Sequence, residues 1–268
     1  MRRREALDRQ GQQARNRTIV EMSAAMRSSG DSFGEPQKAR GRASLPVTAL
    51  VLVAALGASP VARGESPPPA RAGKVLLVRG VFTVFSLGLD DLAKQLAAQG
   101  VNVEVAPASL SFVSADKIRD QYLKNPATGP IVIIGHSLGG DLAPELARRL
   151  QQRNVPVKLI VVVDATNPGA VPGNVERCVN FHQARKTSPK FALVHGAAMK
   201  AESRSTELVN VDINKLPGRD WAGDIDHFNI DSSQWIHSMI IQEVLRVCTP
   251  LPTAAEQPGP QRQGLGKE

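Results

Sequence analysis

Residues 131–150 read IVIIGHSLGGDLAPELARRL, and this stretch decides the architecture. Ile131–Ile134 is apolar without a break, the composition of a strand covered on both faces. Leu138, Leu142, Leu146 and Leu150 then recur every four residues, which draws an apolar stripe down one face of a helix. Between the two lies a short bend flanked by Gly135 and Gly139, with Ser137 at its apex. Pro144 falls inside the helical stretch, where it removes one backbone hydrogen bond and is expected to bend the helix.

The same alternation continues outward in both directions. Lys74–Val78 (KVLLV), Val101–Val105 and Val157–Val163 (VKLIVVV) have strand length and strand composition, and Val179–Phe181 sits in a shorter strand. Asp90–Gln99 has a helical pattern stopped by Gly100. Ala115–Lys124 is a second helix, with Ser114 as its expected cap and Pro126 just past its end. Ser232–Val247 closes the domain as a helix with Ile236, Ile240 and Val244 inward. Apolar strands alternating with helices imply crossover connections and a mostly parallel sheet. The expected fold is a three-layer α/β/α sandwich, and it rests on periodicity alone.

Not all 268 residues fit such a domain. Residues 1–44 carry ten Lys/Arg against five Asp/Glu and no sustained apolar period, the composition of a disordered leader. Lys38, Arg40 and Arg42 precede the apolar run Thr48–Leu56, and small residues follow it. That is the layout of a signal peptide, with Ala62 and Gly64 suited to the positions before cleavage, or an earlier exit at Ala58. Met22 or Met26 as the start would give the leader ordinary proportions. The run is short for a bilayer span, which takes about 20 residues. A periplasmic or secreted protein is therefore expected, with an uncleaved membrane anchor as the alternative. The expected division is leader plus signal peptide over 1–64, a Pro-rich linker over 65–73, the folded domain over 74–249, and a disordered Pro/Gly/Gln tail over 250–268.

The formal charge of +8 belongs mostly to the leader. Beyond residue 64 there are 22 Lys/Arg and 20 Asp/Glu, so the charge is no argument for nucleic acid, and one Tyr and two Trp offer little stacking surface. Cys178 and Cys248 have no metal-like spacing, and neither a metal nor a cofactor is expected. In an oxidising compartment they can form a disulfide tying the last helix to an inner strand; two separately buried thiols fit equally well.

Gly135-His136-Ser137-Leu138-Gly139 matches G-x-S-x-G. The pentapeptide alone says little, but here a strand runs into it and a helix leaves it. That bend needs small flanking residues because neighbouring chains approach closely, and it lifts the serine hydroxyl above the sheet. It also aims the free N–H groups of a helix start at any developing oxyanion. A glycine-rich turn for phosphate is the bland alternative, but no G-x-x-x-x-G-K-[ST] is present.

On these residues the chain resembles the α/β-hydrolase superfamily, among its small lipase-, esterase- and thioesterase-like members, over about residues 74–247. The resemblance implies Ser137 as nucleophile, followed in chain order by an acid and a histidine. It implies one oxyanion donor from the Leu138 amide and a second from the loop after the first strand, at Val81. Many members have His-Gly where this chain has Arg79-Gly80. Asp164 ends the VVVD strand at the rim where open parallel sheets place their sites, and thioesterase-type relatives carry the acid on this strand. Asp164 capping its own loop is the plainer reading. Of His182, His195, His227 and His237, His227 lies in a loop just before the final helix, where this fold delivers its histidine. His237 reads as a core residue, and His136 as packing under the turn. Asp224 or Asp226 can instead orient His227, which would leave Asp164 structural.

The implied chemistry is acyl transfer from an ester or thioester through a Ser-Asp-His triad and an acyl-enzyme, with a small-molecule or lipid-like acyl substrate. Residues 184–206 read either as a short basic lid favouring an anionic head group or as a solvated face. No large cap domain fits. A catalytically silent scaffold that binds a ligand or partner is the rival reading, since fold alone does not give function.

Overall fold

The computed structural model describes residues 68–80, 87–184, 195–216 and 225–252. The leader and its apolar run, Val81, Asp224, the first half of the lid stretch and the tail from 253 lie outside these residues. Six strands form one sheet: β1 (Lys74–Val78), β2 (Val103–Ala106), β3 (Ile131–His136), β4 (Val157–Val163), β5 (Val175–His182) and β6 (Glu207–Asp212). Their spatial order is β2-β1-β3-β4-β5-β6, and every neighbouring pair is parallel. Helices α1 (Gly88–Ala97), α2 (Ser111–Lys124), α3 (Leu138–Gln151) and α4 (Gln234–Val247) pack on the two faces.

The pleat sorts alternate residues of each strand into two cores. Val75, Leu77, Val132, Ile134, Leu159 and Val161 face α1 and α4, meeting Leu92, Leu96, Ile236 and Ile240. Leu76, Val78, Ile131, Ile133, Ile160 and Val162 face α2 and α3, meeting Ala115, Ile118, Leu146 and Leu150. Burial of each such side chain favours folding by about 1.5–3 kcal/mol. This is the three-layer α/β/α arrangement of a minimal α/β-hydrolase fold. No helix among the described residues is long and apolar enough to cross a membrane.

Several elements differ from the sequence expectation. The helix-forming stretch of α2 starts at Ser111, after a 3-10 turn at Ala108–Leu110, and Ser114 does not cap it. Helix α3 is continuous through Pro144, and its buried face is Gly139, Gly140, Ala143, Pro144, Leu146, Ala147 and Leu150. Leu138 and Leu142 are only half-buried, because the small residues allow the helix to lie close on the sheet. β5 is eight residues long, and β6 is a strand that apolar periodicity does not announce. Within the Pro-rich stretch, Arg71 pairs antiparallel with Pro250, bringing the two ends of the described domain together.

Of the two cysteine readings, the structure has the separately buried thiols. Cys178 and Cys248 are both free and buried. Cys178 belongs to the core on the α2/α3 face and Cys248 to the core on the α1/α4 face, so the sheet stands between them. Burial pushes the Cys178 thiol up to about 12 and the Cys248 thiol up to about 11.

Candidate active site

Strand register brings the site together. Gly135 pairs with Val78 and Val162, His136 with Val163, and Val163 with Phe181. The residues that follow these strand ends, Ser137 and Asp164, therefore emerge side by side at the C-terminal edge of the sheet. Ser137 has φ 55° and ψ −123°, a conformation rarely adopted by a residue with a side chain. Its amide donates to the Val163 carbonyl at 3.0 Å, which anchors the bend to β4. The flanking glycines are required by space: a Cβ on Gly135 would lie 2.1 Å from the Gly139 carbonyl oxygen, and one on Gly139 would lie 2.0 Å from that of Val78.

Asp164 also has positive φ, 48°, and is fully buried. One carboxylate oxygen accepts the Gln183 amide at 2.7 Å, and the other lies 2.9 Å from His227 Nδ1. His227 Nε2 stands 2.9 Å from Ser137 Oγ. An ionised carboxylate only accepts, so Nδ1 carries the ring proton and Nε2 presents a lone pair to the serine hydroxyl. Three side chains separated by up to 90 positions thus form one hydrogen-bonded line. His227 is 8 % exposed, so the line is shielded from water along most of its length.

His227 sits on a turn built by reciprocal side-chain bonds. The Asp226 carboxylate accepts the amides of Phe228 (2.8 Å) and Asn229 (3.2 Å), while Asn229 Oδ1 accepts the Asp226 amide (2.8 Å). Asp226 is engaged in shaping the turn, and Asp164 is the carboxylate at the ring. Ser233 then caps α4 by accepting the Ile236 amide. Gln183 Nε2 donates to the Ile225 carbonyl at 3.2 Å, tying the strand beside Asp164 to the start of the His227 turn.

Leu138 is the first residue of α3, so its N–H has no acceptor within the helix. The Val81 amide lies outside the described residues. Arg79, just before it, makes an ion pair with Asp90 in the first turn of α1. The other histidines serve elsewhere. His237 lies within α4, its Nε2 donating to the Asp231 carbonyl at 2.6 Å and its Nδ1 meeting Gln95. His182 is buried near Asp212 and Asp164, and burial lowers its pKa. His195 Nδ1 contacts the Gly196 carbonyl at 3.3 Å.

Two contributors escaped sequence reasoning. The Gln183 amide has no local signal, because its role comes from the alignment of β5 with β4. Gly196 presses against the acid so closely that a Cβ there would lie 2.1 Å from Asp164 Oδ1. Beyond it, Ala197 and Met199 are held by the side chains of Asn180 and Asn210, so this half of the expected lid is fastened to the sheet. A cavity of about 590 Å³ lies at the other edge, among the first residues of β3, β4 and β5, away from Ser137.

A parallel sheet with helices on both faces, and a serine raised where a central strand bends into a helix, are features of the α/β-hydrolase fold. Residues 90–184 match the thioesterase domain family, and this stretch contains both Ser137 and Asp164. The match to this stretch supports a thioesterase-like chain and hydrolysis of an ester or thioester. Three solved structures are similar to it. The NocB thioesterase domain from the nocardicin cluster is 15% identical, with 66% of this chain and 94% of that one covered and a TM-score of 0.39. The RedJ thioesterase of the prodiginine pathway in Streptomyces coelicolor is 14% identical, with 69% and 95% covered and a TM-score of 0.40. The type II thioesterase BorB from the borrelidin cluster is 13% identical, with 69% and 96% covered and a TM-score of 0.40. No curated protein matches the chain.

Proposed function

We propose that the chain is a serine thioesterase that works through an acyl-enzyme on Ser137. The observation that carries this reading is the unbroken line from Ser137 Oγ through His227 to Asp164, with both links at 2.9 Å. His227 Nε2 takes the Ser137 proton as Oγ attacks the acyl carbonyl carbon. Asp164 holds the ring in the required tautomer and stabilises the imidazolium that forms. The Leu138 amide donates to the oxyanion of the tetrahedral intermediate, with the Val81 amide as the second donor; each is worth about 3 kcal/mol. The intermediate collapses, the thiolate or alkoxide leaves with the proton from His227, and Ser137 retains the acyl group. Water, deprotonated by His227, then releases the carboxylic acid and restores the serine.

The basic, apolar and small-residue layout of residues 38–64 supports an exported enzyme, periplasmic or secreted. The substrate is a small-molecule or lipid-like acyl compound. The test is labelling with a fluorophosphonate, followed by turnover of acyl thioesters and p-nitrophenyl esters. Wild type should label and turn over thioesters, and Ser137→Ala should do neither. Equal labelling of both proteins would remove Ser137 as nucleophile, and a labelled protein with no turnover of either substrate class would favour a silent scaffold.

A further inference from the structure

His136 stands between Gly135 and Ser137 at the end of β3, and it is 2 % exposed. Its Nε2 lies 3.0 Å from the main-chain carbonyl oxygen of His227. A carbonyl oxygen only accepts, so Nε2 carries the proton and donates it. Its ring is tilted against the His227 ring, with centroids 5.3 Å apart. On the far side, Nδ1 faces a carboxylate oxygen of Asp231 at 4.0 Å, beyond hydrogen-bond reach. Burial pushes the His136 imidazole down to about 4, so the ring is neutral at ordinary pH and keeps this single-donor form.

The turn bearing His227 is built from bonds among Asp226, Phe228 and Asn229. Those bonds shape the turn, and Gln183 ties its start at Ile225 to the end of β5. The His136 bond fastens it at His227 itself, across 91 positions, and it starts from the residue adjoining the nucleophile. We propose that His136 is a positioning residue for catalysis, setting the height of the His227 imidazole against Ser137 Oγ through the bond to the His227 carbonyl. This rests on the reading of Ser137 and His227 as nucleophile and base. His136 contacts neither substrate nor the reacting proton. It gives both partners a common anchor, so that thermal motion of the turn does not lengthen the 2.9 Å proton-transfer distance.

The test compares His136→Gln, His136→Asn and His136→Phe. The glutamine amide nitrogen can occupy the place of Nε2 and donate to the same carbonyl, whereas asparagine is one methylene too short and phenylalanine has no donor. Thioester turnover should fall about 10- to 100-fold in kcat for Asn and Phe, the scale of an ångström-sized misplacement, with KM within about twofold. Glutamine should restore kcat to within about threefold of wild type. Fluorophosphonate labelling should slow in parallel with kcat in Asn and Phe yet still reach completion. Wild-type kcat in Asn or Phe would overturn the proposal. So would a glutamine variant no better than asparagine when both melt near the wild-type temperature. If Phe does not fold, the Gln and Asn pair, both polar and similar in size, carries the comparison. Failure of the underlying reading has its own signature, which is turnover or labelling surviving in Ser137→Ala.

Discussion

Replacing Asp164 by Asn should nearly abolish turnover while leaving the fold intact, and the structure says why. The two carboxylate oxygens have different partners: Oδ1 accepts the Gln183 amide at 2.7 Å, and Oδ2 accepts His227 Nδ1–H at 2.9 Å. Asparagine offers only one oxygen. The Gln183 amide is a fixed main-chain donor in a buried site, so the asparagine oxygen must stay with it or leave that donor unpaired. The amide NH2 then occupies the place of Oδ2 and can only donate. Facing a donor, His227 Nδ1 must present its lone pair, which moves the ring proton to Nε2, the atom that has to take the serine proton. The loss expected from such a wrong tautomer is about 10⁴ in kcat, or about 5.5 kcal/mol of barrier. The assay is steady-state thioester turnover with fluorophosphonate labelling rates, alongside circular dichroism to check folding. A folded Asp164→Asn protein within tenfold of wild-type kcat would refute this reasoning and point to another carboxylate behind the ring.

Other perturbations test neighbouring parts of the structure. Gly196→Ala would push a methyl group to 2.1 Å from Asp164 Oδ1, so kcat should drop at least tenfold with KM little changed; normal kcat would show that the chain at 196 yields without moving the acid. Burial raises the Asp231 carboxyl to about 6, against the work of the Gly88 and Leu89 amides. A folded pKa above the unfolded 3.8 means that this group favours the folded state below about pH 4, an advantage lost as pH rises through 6. The difference is about 3 kcal/mol, so Asp231→Asn should melt above wild type at pH 8, with the gap closing toward pH 4. A gap independent of pH in scanning fluorimetry would contradict this. Arg177 grips Glu243 with two bonds of 2.9 Å, and the Glu243 side chain is 2 % exposed. Arg177→Ala should cost about 3 kcal/mol in urea unfolding by leaving that buried carboxylate with only Arg246 at 3.2 Å, whereas Arg177→Met with Glu243→Leu should regain most of it. Equal losses in the single and double variants would argue against a buried-charge penalty.

The sandwich was legible because periodicity is local. KVLLV, IVII and VKLIVVV announce strands covered on both faces, and the glycines around Ser137 announce a bend too tight for side chains. β6 was not legible, since ELVNVD at the sheet edge buries only part of its length and alternates with polar residues. β5 looks shorter in sequence than it is because Arg177 and Asn180 interrupt its apolar run. Each is tolerated there through distant partners, Glu243 and Glu207 for Arg177, and Ala197 and Asn210 for Asn180. The Leu stripe of α3 marked a helix correctly but not its buried face, because glycine and alanine carry little apolar signal while permitting the closest approach to the sheet.

Sequence by itself therefore determined the layers, the elbow and the set of candidate acids and histidines. Only tertiary structure decided among those candidates. Which carboxylate reaches His227, which main-chain amide steadies Asp164, and whether Cys178 can meet Cys248 all depend on strand order, register and sheet face. These relations connect residues 19 to 70 positions apart, and no local spacing encodes them. Hydrogen bonds act over about 3 Å, whereas the pattern of apolar residues specifies only which way each side chain points along its own element.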